Sequence, residues 1–165
     1  MVQQIYEGLI DFIKTYTTID SNNIRQGFQN RTGLSKGDFC LLSYLNSITN
    51  MRPIMDVLTG EQTQHSELLT ATFQLDFYGD NAYTNASKIK TLLFDYIGCN
   101  FLDKYNIQPL ECSDIINHTG STFINEQYYK RYSIDVKVNY YNDVLLQEQN
   151  FNNVILSTNE VSNDN

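Results

Sequence analysis

The 165-residue chain is long enough for one domain with a buried core, and 41% hydrophobic against 18% charged residues is a globular balance. Its net charge of −8 and its scattered Lys and Arg argue against conventional nucleic-acid binding, which gathers basic residues against phosphates. We expect no membrane segment, because no apolar run approaches the ~20 residues that span a bilayer. We expect no signal peptide either, because Glu7 and Asp11 interrupt the first apolar stretch.

The N-terminal part of the chain predicts one helix and two strands. Apolar residues recur at helical spacing over 3–16, which is typical of an amphipathic helix. The residues from 18 to 37 are rich in Asn, Ser and Gly, which indicates an irregular loop with room for a short helical turn at 24–28. Residues 39–48 are apolar on both faces, as in a central strand. An edge strand can resume over 54–58.

The middle of the chain predicts a strand that runs into a helix. The polar run up to Ser66 indicates a loop from Thr59 onward. Residues 69–77 alternate strictly between apolar and polar, so we expect a strand with one buried face. Gly79 permits a sharp turn, and the Asp80 or Asn81 side chain after it is expected to cap a helix. That helix is predicted over 82–102.

The C-terminal part predicts further strands. We expect a short strand over 109–116, a turn over 117–121 and a long alternating strand over 128–141. Asn142-Asp143 is a turn signal, so residues 144–146 are expected to begin a returning strand.

Together these elements predict one α+β domain. We expect a mixed, largely antiparallel sheet with two main helices packed on one face. The single domain is predicted to span residues 1–156, and the polar residues 157–165 are predicted to be a disordered tail.

Chemistry-bearing residues show no spacing that is typical of an active site. Cys40, Cys99 and Cys112 are far apart and odd in number, which favours reduced thiols packed in or near the core. His65 and His118 have no catalytic or metal-binding partner at a familiar spacing. Glycine-rich phosphate loops and a serine nucleophile motif are absent from the sequence. We therefore expect no catalytic, cofactor-binding or metal-binding residues.

Twelve tyrosines are the most distinctive part of the composition. Tyr128-Tyr129 and Tyr140-Tyr141 lie on predicted strand residues, so one ring of each pair should point away from the core. Such a ring is either an exposed strand former or part of a contact surface, because tyrosine is enriched at protein interfaces. Arg131 is expected to reach another strand or another subunit.

The predicted N-terminal helix and two later segments resemble the bacteriophage neck or tail terminator proteins, which form rings at the head–tail junction. The two later segments are LLTATFQLDFYGDNA, running into the capped helix, and the late strand FINEQYYKRYSIDVKVNY. The positions that match the pattern of those relatives are Tyr78, Gly79, Asp80, Glu126, Tyr128 and Arg131. Residues 20–36 and 59–66 have no counterpart in this resemblance.

The resemblance implies a structural virion protein of the head–tail junction, without enzymatic activity or a cofactor. It implies a ring of copies, expected to be a hexamer, that caps the tail tube and joins it to the head connector or head-completion proteins. Assembly would take place in the bacterial host cytoplasm. DNA would pass through the lumen without specific binding, and an acidic lumen would repel its phosphates. The alternatives are another morphogenesis factor, for tail completion or head closure, or a small-ligand or enzymatic domain.

Candidate subunit-interface residues come from the polar loop and the late strand. They are Met51, Arg52, Asp56, Glu61, Gln64, His65, Glu126, Tyr128, Arg131 and Tyr141. For Met51, packing within one subunit is an equally good explanation.

Overall fold

The computed structural model describes residues 2–27, 37–57, 62–121, 123–124 and 127–147. Within these ranges the chain forms three α-helices and nine strands. In chain order the elements are α1 (Val2–Tyr16), β1 (Ile24–Gln26), β2 (Phe39–Thr49), β3 (Ile54–Val57), β4 (Gln62–Tyr78), α2 (Ala82–Leu93), α3 (Tyr96–Asp103), β5 (Ile107–Cys112), β6 (Ile116–Asn117), β7 (Phe123–Ile124), β8 (Gln127–Tyr128) and β9 (Arg131–Gln147). Short 3₁₀ turns lie at Ser21–Asn23 and Thr119–Ser121.

Seven of these strands form one mixed sheet in the order β1-β2-β4-β9-β5, with β3 also paired to β4 and β6 to β9. β1 runs parallel to β2, and the other ladders are antiparallel. β7 and β8 form a separate two-stranded ladder. This arrangement confirms the predicted α+β class and the mixed, largely antiparallel sheet.

The hydrophobic core lies between one face of the sheet and the helices. In β4 the buried apolar residues alternate with polar ones, as the sequence pattern predicts: Ala71, Phe73, Leu75 and Phe77 are fully buried. The helix predicted over 3–16 is confirmed as α1, whose buried stripe joins the same core. Full burial of each large apolar side chain stabilises the fold by about 1.5–3 kcal/mol.

The helix predicted over residues 82–102 is two helices, so the sheet is backed by three helices rather than two. α2 ends at Leu93 and α3 begins at Tyr96. Asp95 starts the new helix, because its carboxylate accepts the backbone N–H of Tyr96 at 2.7 Å. At Gly98, an added Cβ would lie closer than 3.0 Å to backbone carbonyl oxygens at the end of α2. Glycine therefore permits a tight corner between the two helices.

The turn before α2 is confirmed, but Asn81 does not cap the helix with its side chain. Gly79 has φ 103°, a conformation that L side chains rarely adopt. The Asn81 amide donates instead to Asp38 Oδ2 at 2.7 Å, and the Asn81 backbone N–H donates to Asp38 Oδ1 at 3.2 Å. The turn is thus held by the side chain of Asp38, the residue just before β2.

Three segments predicted as loop, turn or helix are strands. The described part of the predicted 59–66 loop is the start of β4, whose polar residues pair with β3 and β9. No turn occurs at residues 142–143, because they pair with β4 and β9 continues to Gln147. The helical turn expected from residue 24 is β1, which pairs with β2. In each case a neighbouring strand satisfies the backbone of a polar segment. The predicted domain end at 156 and tail at 157–165 lie outside the described residues.

Candidate assembly surface

At one end of the sheet, β4 and β9 continue past the ends of β2 and β5 and, with β3, form a three-stranded arm. β4 and β9 pair along all 17 of their residues, a length of about 55 Å at ~3.3 Å per residue. β2 pairs with β4 only from Leu69 onward, and β5 pairs with β9 only up to Tyr140. We define the arm as β3 with residues 62–68 of β4 and 141–147 of β9.

Both faces of the arm present apolar side chains. The register places Ile54, Tyr141 and Leu145 on one face and Met55 on the opposite face together with Val144 and Leu146. Each of these six side chains is between 46% and 61% exposed. An antiparallel sheet with one solvated face normally alternates apolar and polar residues. The arm therefore departs from this alternation, because each of its faces carries exposed apolar side chains among polar ones.

A half-open cavity of about 590 Å³ lies where the arm meets the helical layer. Among the described residues, its lining combines amides, hydroxyls and apolar groups with one carboxylate, that of Asp143. The lining residues are Gln4, Ile5, Ile54, Gln64, Ser66, Tyr105, Asn106, Ile107, Tyr140, Tyr141 and Asp143. This lining suits the docking of a polypeptide segment better than acid–base chemistry, which needs paired ionisable groups.

The opposite end of the β4–β9 ladder holds a buried ion pair. Asp76 is 5% exposed, and its carboxylate accepts hydrogen bonds from Arg131 Nε at 3.2 Å and Nη2 at 3.1 Å. The Ser133 hydroxyl donates to the same carboxylate, and the Arg131 guanidinium lies 5.6 Å from the centre of the Tyr78 ring. Arg131 therefore reaches another strand of its own chain, which is one of the two predicted outcomes.

The titratable groups beside this pair are held neutral. Burial, with a smaller contribution from the Asp76 charge, raises the pKa of the Cys40 thiol well above its usual value. The same two causes raise the pKa of the Tyr78 hydroxyl. Away from the pair, on β5, burial raises the pKa of Cys112 to about 11. A thiol with a raised pKa is a weak nucleophile at neutral pH, so these groups fit a packing role. Cys99, by contrast, is exposed rather than packed in the core.

The predicted interface residues fall at two ends of the sheet. Six lie in the arm or in the turn that leads into it: Met51, Arg52, Asp56, Gln64, His65 and Tyr141. Tyr128, 69% exposed, and Arg131 lie at the other end. Tyr141 lies ten positions after Arg131 along β9, a distance of about 33 Å, so the two groups cannot belong to one small contact. Glu61 and Glu126 lie outside the described residues.

The sequence interpretation missed the apolar residues of the arm, Ile54, Met55 and Val144 to Leu146. Their signal was present, because Val144-Leu145-Leu146 is an apolar run without alternation. In a strand such a run is typical of burial on both faces. The turn signal at Asn142-Asp143 concealed it.

Within the described ranges, no three His, Cys, Asp or Glu side chains lie close enough together to hold a metal ion. Nor does any helix of that part of the chain combine the length and hydropathy that a membrane crossing requires.

A helix-backed mixed sheet with an apolar arm defines a protein suited to contacts with other polypeptides. The sequence identifies the family: residues 3–164 match the phage neck terminator proteins, and the chain belongs to that family. Comparison with curated proteins gave no match. The family match confirms the resemblance found in the sequence and makes the chain a component of the bacteriophage neck.

Proposed function

We propose that this chain forms a ring that caps the tail tube and joins it to the head connector. The observation that supports the proposal is the arm, in which six apolar side chains on two faces are each at least 46% exposed. Exposed apolar side chains gathered in this way mark contact surfaces between proteins. A subunit of a neck ring needs such surfaces toward its own copies and toward the components above and below it.

A purely structural role agrees with the chemistry of the described residues. The buried carboxylate, Asp76, is occupied by Arg131 and Ser133 of its own chain. The described residues that line the cavity at the arm include one carboxylate and no histidine or cysteine. Catalysis by general acid and base needs two groups of matched pKa within reach of a substrate. We therefore assign binding, rather than turnover, to this surface.

The proposed ring has a lumen through which DNA passes. Each copy carries a net charge of −8, and an acidic lumen would repel phosphates and prevent the genome from adhering. We propose six copies, as the family resemblance implies.

The experiment is complementation of a phage in which the gene for this chain is inactivated. We expect heads and tails to accumulate separately, and purified wild-type protein to join them in an extract. We also expect tails made without the protein to vary in length, because their tubes lack a cap. Normal joined particles in the absence of the protein would contradict the proposal. Unjoined heads together with tails of uniform length would favour head closure instead of tail capping.

A further inference from the structure

The arm has two strand edges that no strand of the described chain covers. β3 pairs with β4 on one side only, and in residues 141–147 β9 likewise pairs only with β4. β5 does not continue along this part of β9, because Asn106, with φ 54°, turns the chain away just before Ile107. Unpaired edge N–H and C=O groups are a template for a further strand.

The two open edges run in the same direction. β3 is antiparallel to β4, and β4 is antiparallel to β9, so β3 and β9 are parallel within one arm. A second copy, related by a modest rotation, would therefore present its β3 parallel to this β9. From these edges we propose that the β9 edge of the arm pairs with β3 of a second copy, an inference that rests on the proposed role as a ring subunit.

One register satisfies both faces of the arm. When Ile54 of the second copy lies beside Leu145, Met55 lies beside Leu146, and each pair keeps the face that it has in the single chain. Pro53 carries no backbone N–H, so the shared ladder begins at Ile54. The pairing would bring together apolar side chains that are 47% and 61% exposed on one face, and 56% and 50% exposed on the other.

The charges in this register favour a second copy as the occupant. Copies that each carry −8 repel one another on average, so their contact needs few like charges. In the same register the exposed Arg52 of the second copy lies beside the exposed Asp143. The contact uses two different edges of each copy, so it repeats from copy to copy and closes into a ring where the rotation allows.

The test is a charge-reversal cycle at this contact. Arg52→Asp and Asp143→Arg are made singly and together, and self-association is measured by sedimentation over a concentration series. Wild type and the three variants are also scored for incorporation into particles by complementation. This second assay covers the case in which the chain assembles only on tails. We expect each single reversal to lower association or incorporation about tenfold, and the double reversal to restore it. A double reversal as weak as the singles, or singles equal to wild type, would overturn the pairing.

A matched pair of leucine variants locates the contact. Leu145→Lys in the arm should abolish association, whereas Leu110→Lys on β5 should not, although Leu110 is also 52% exposed. Thermal unfolding of each variant establishes that the monomer fold is retained. Equal loss in both variants would move the contact away from the β9 edge. These outcomes are separate from the proposed function, which fails if particles join normally without the protein or if wild-type protein is absent from the neck of joined particles.

Discussion

The buried ion pair between β4 and β9 can be tested by comparing two adjacent basic residues. Arg131 pairs with Asp76, and the two side chains are 27% and 6% exposed. Lys130 pairs with Asp80, and those side chains are 56% and 92% exposed. Arg131→Met and Lys130→Met each remove one positive charge and keep an unbranched apolar stem, so they differ mainly in burial.

Removing one partner of a buried ion pair costs about 3–5 kcal/mol, because the remaining charge is left uncompensated. Water reaches Arg131 in part, so we expect Arg131→Met to lower the free energy of unfolding by about 2–3 kcal/mol. An ion pair between exposed side chains is screened by water and contributes little, so Lys130→Met should leave the free energy of unfolding close to that of wild type.

Equilibrium unfolding in urea measures both variants. For an m-value of about 2 kcal/mol/M, the Arg131→Met midpoint should fall by about 1 M or slightly more, whereas the Lys130→Met midpoint should stay near that of wild type. Similar midpoints for the two variants, with unchanged m-values, would refute the assignment of the Asp76 pair as the link between β4 and β9.

Three further predictions concern packing and titration. Gly98→Ala should destabilise the protein by about 1–3 kcal/mol in thermal unfolding, despite the higher helix propensity of alanine, because the added Cβ meets backbone carbonyls; a stabilised variant would contradict the tight corner. A thiol reagent followed by mass spectrometry should modify the exposed Cys99 first and the buried Cys40 only on unfolding; equal rates would contradict their placement. Because burial raises the Cys112 pKa from 9.0 to about 11, its contribution to stability should be fully present below pH 9 and lost as pH rises toward 11. Cys112→Ser should therefore lose less stability than wild type over that interval, and parallel pH profiles would contradict it.

Local patterns predicted the elements whose burial follows a regular period. The alternation over residues 69–77 reflects one face against the helices, and Phe73 and Phe77 are fully buried as it requires. The helical spacing over residues 3–16 likewise gives the buried stripe of α1. The turn at Gly79 was predictable because glycine, which has no Cβ, readily adopts the positive φ that the turn requires.

The errors occurred where distant pairing decides the conformation. Asn142-Asp143 is a turn signal in isolation, yet both residues pair with β4, whose own start is polar. The polar residues around His65 read as a loop for a similar reason, since one of their two partner strands, β9, is far away in the sequence. The break at Asp95 also depends on context, because it needs α3 to pack closely on the end of α2.

Some of the candidate interface residues lie in the arm, and they stay predictions. Gln64, His65 and Tyr141 were named from polarity and from tyrosine pairing, and the structure brings them to one arm. The apolar members of the arm were not named, because their exposure depends on where β2 and β5 stop covering the long ladder. That information lies in the three-dimensional pairing rather than in any local window.

Imaging of phage particles that carry a labelled copy of this chain tests the central claim most directly. The account predicts the label at the neck, at the top of the tail tube, in every joined particle. A label on the capsid shell, along the tail or at its distal tip, or its absence from joined particles, would contradict it.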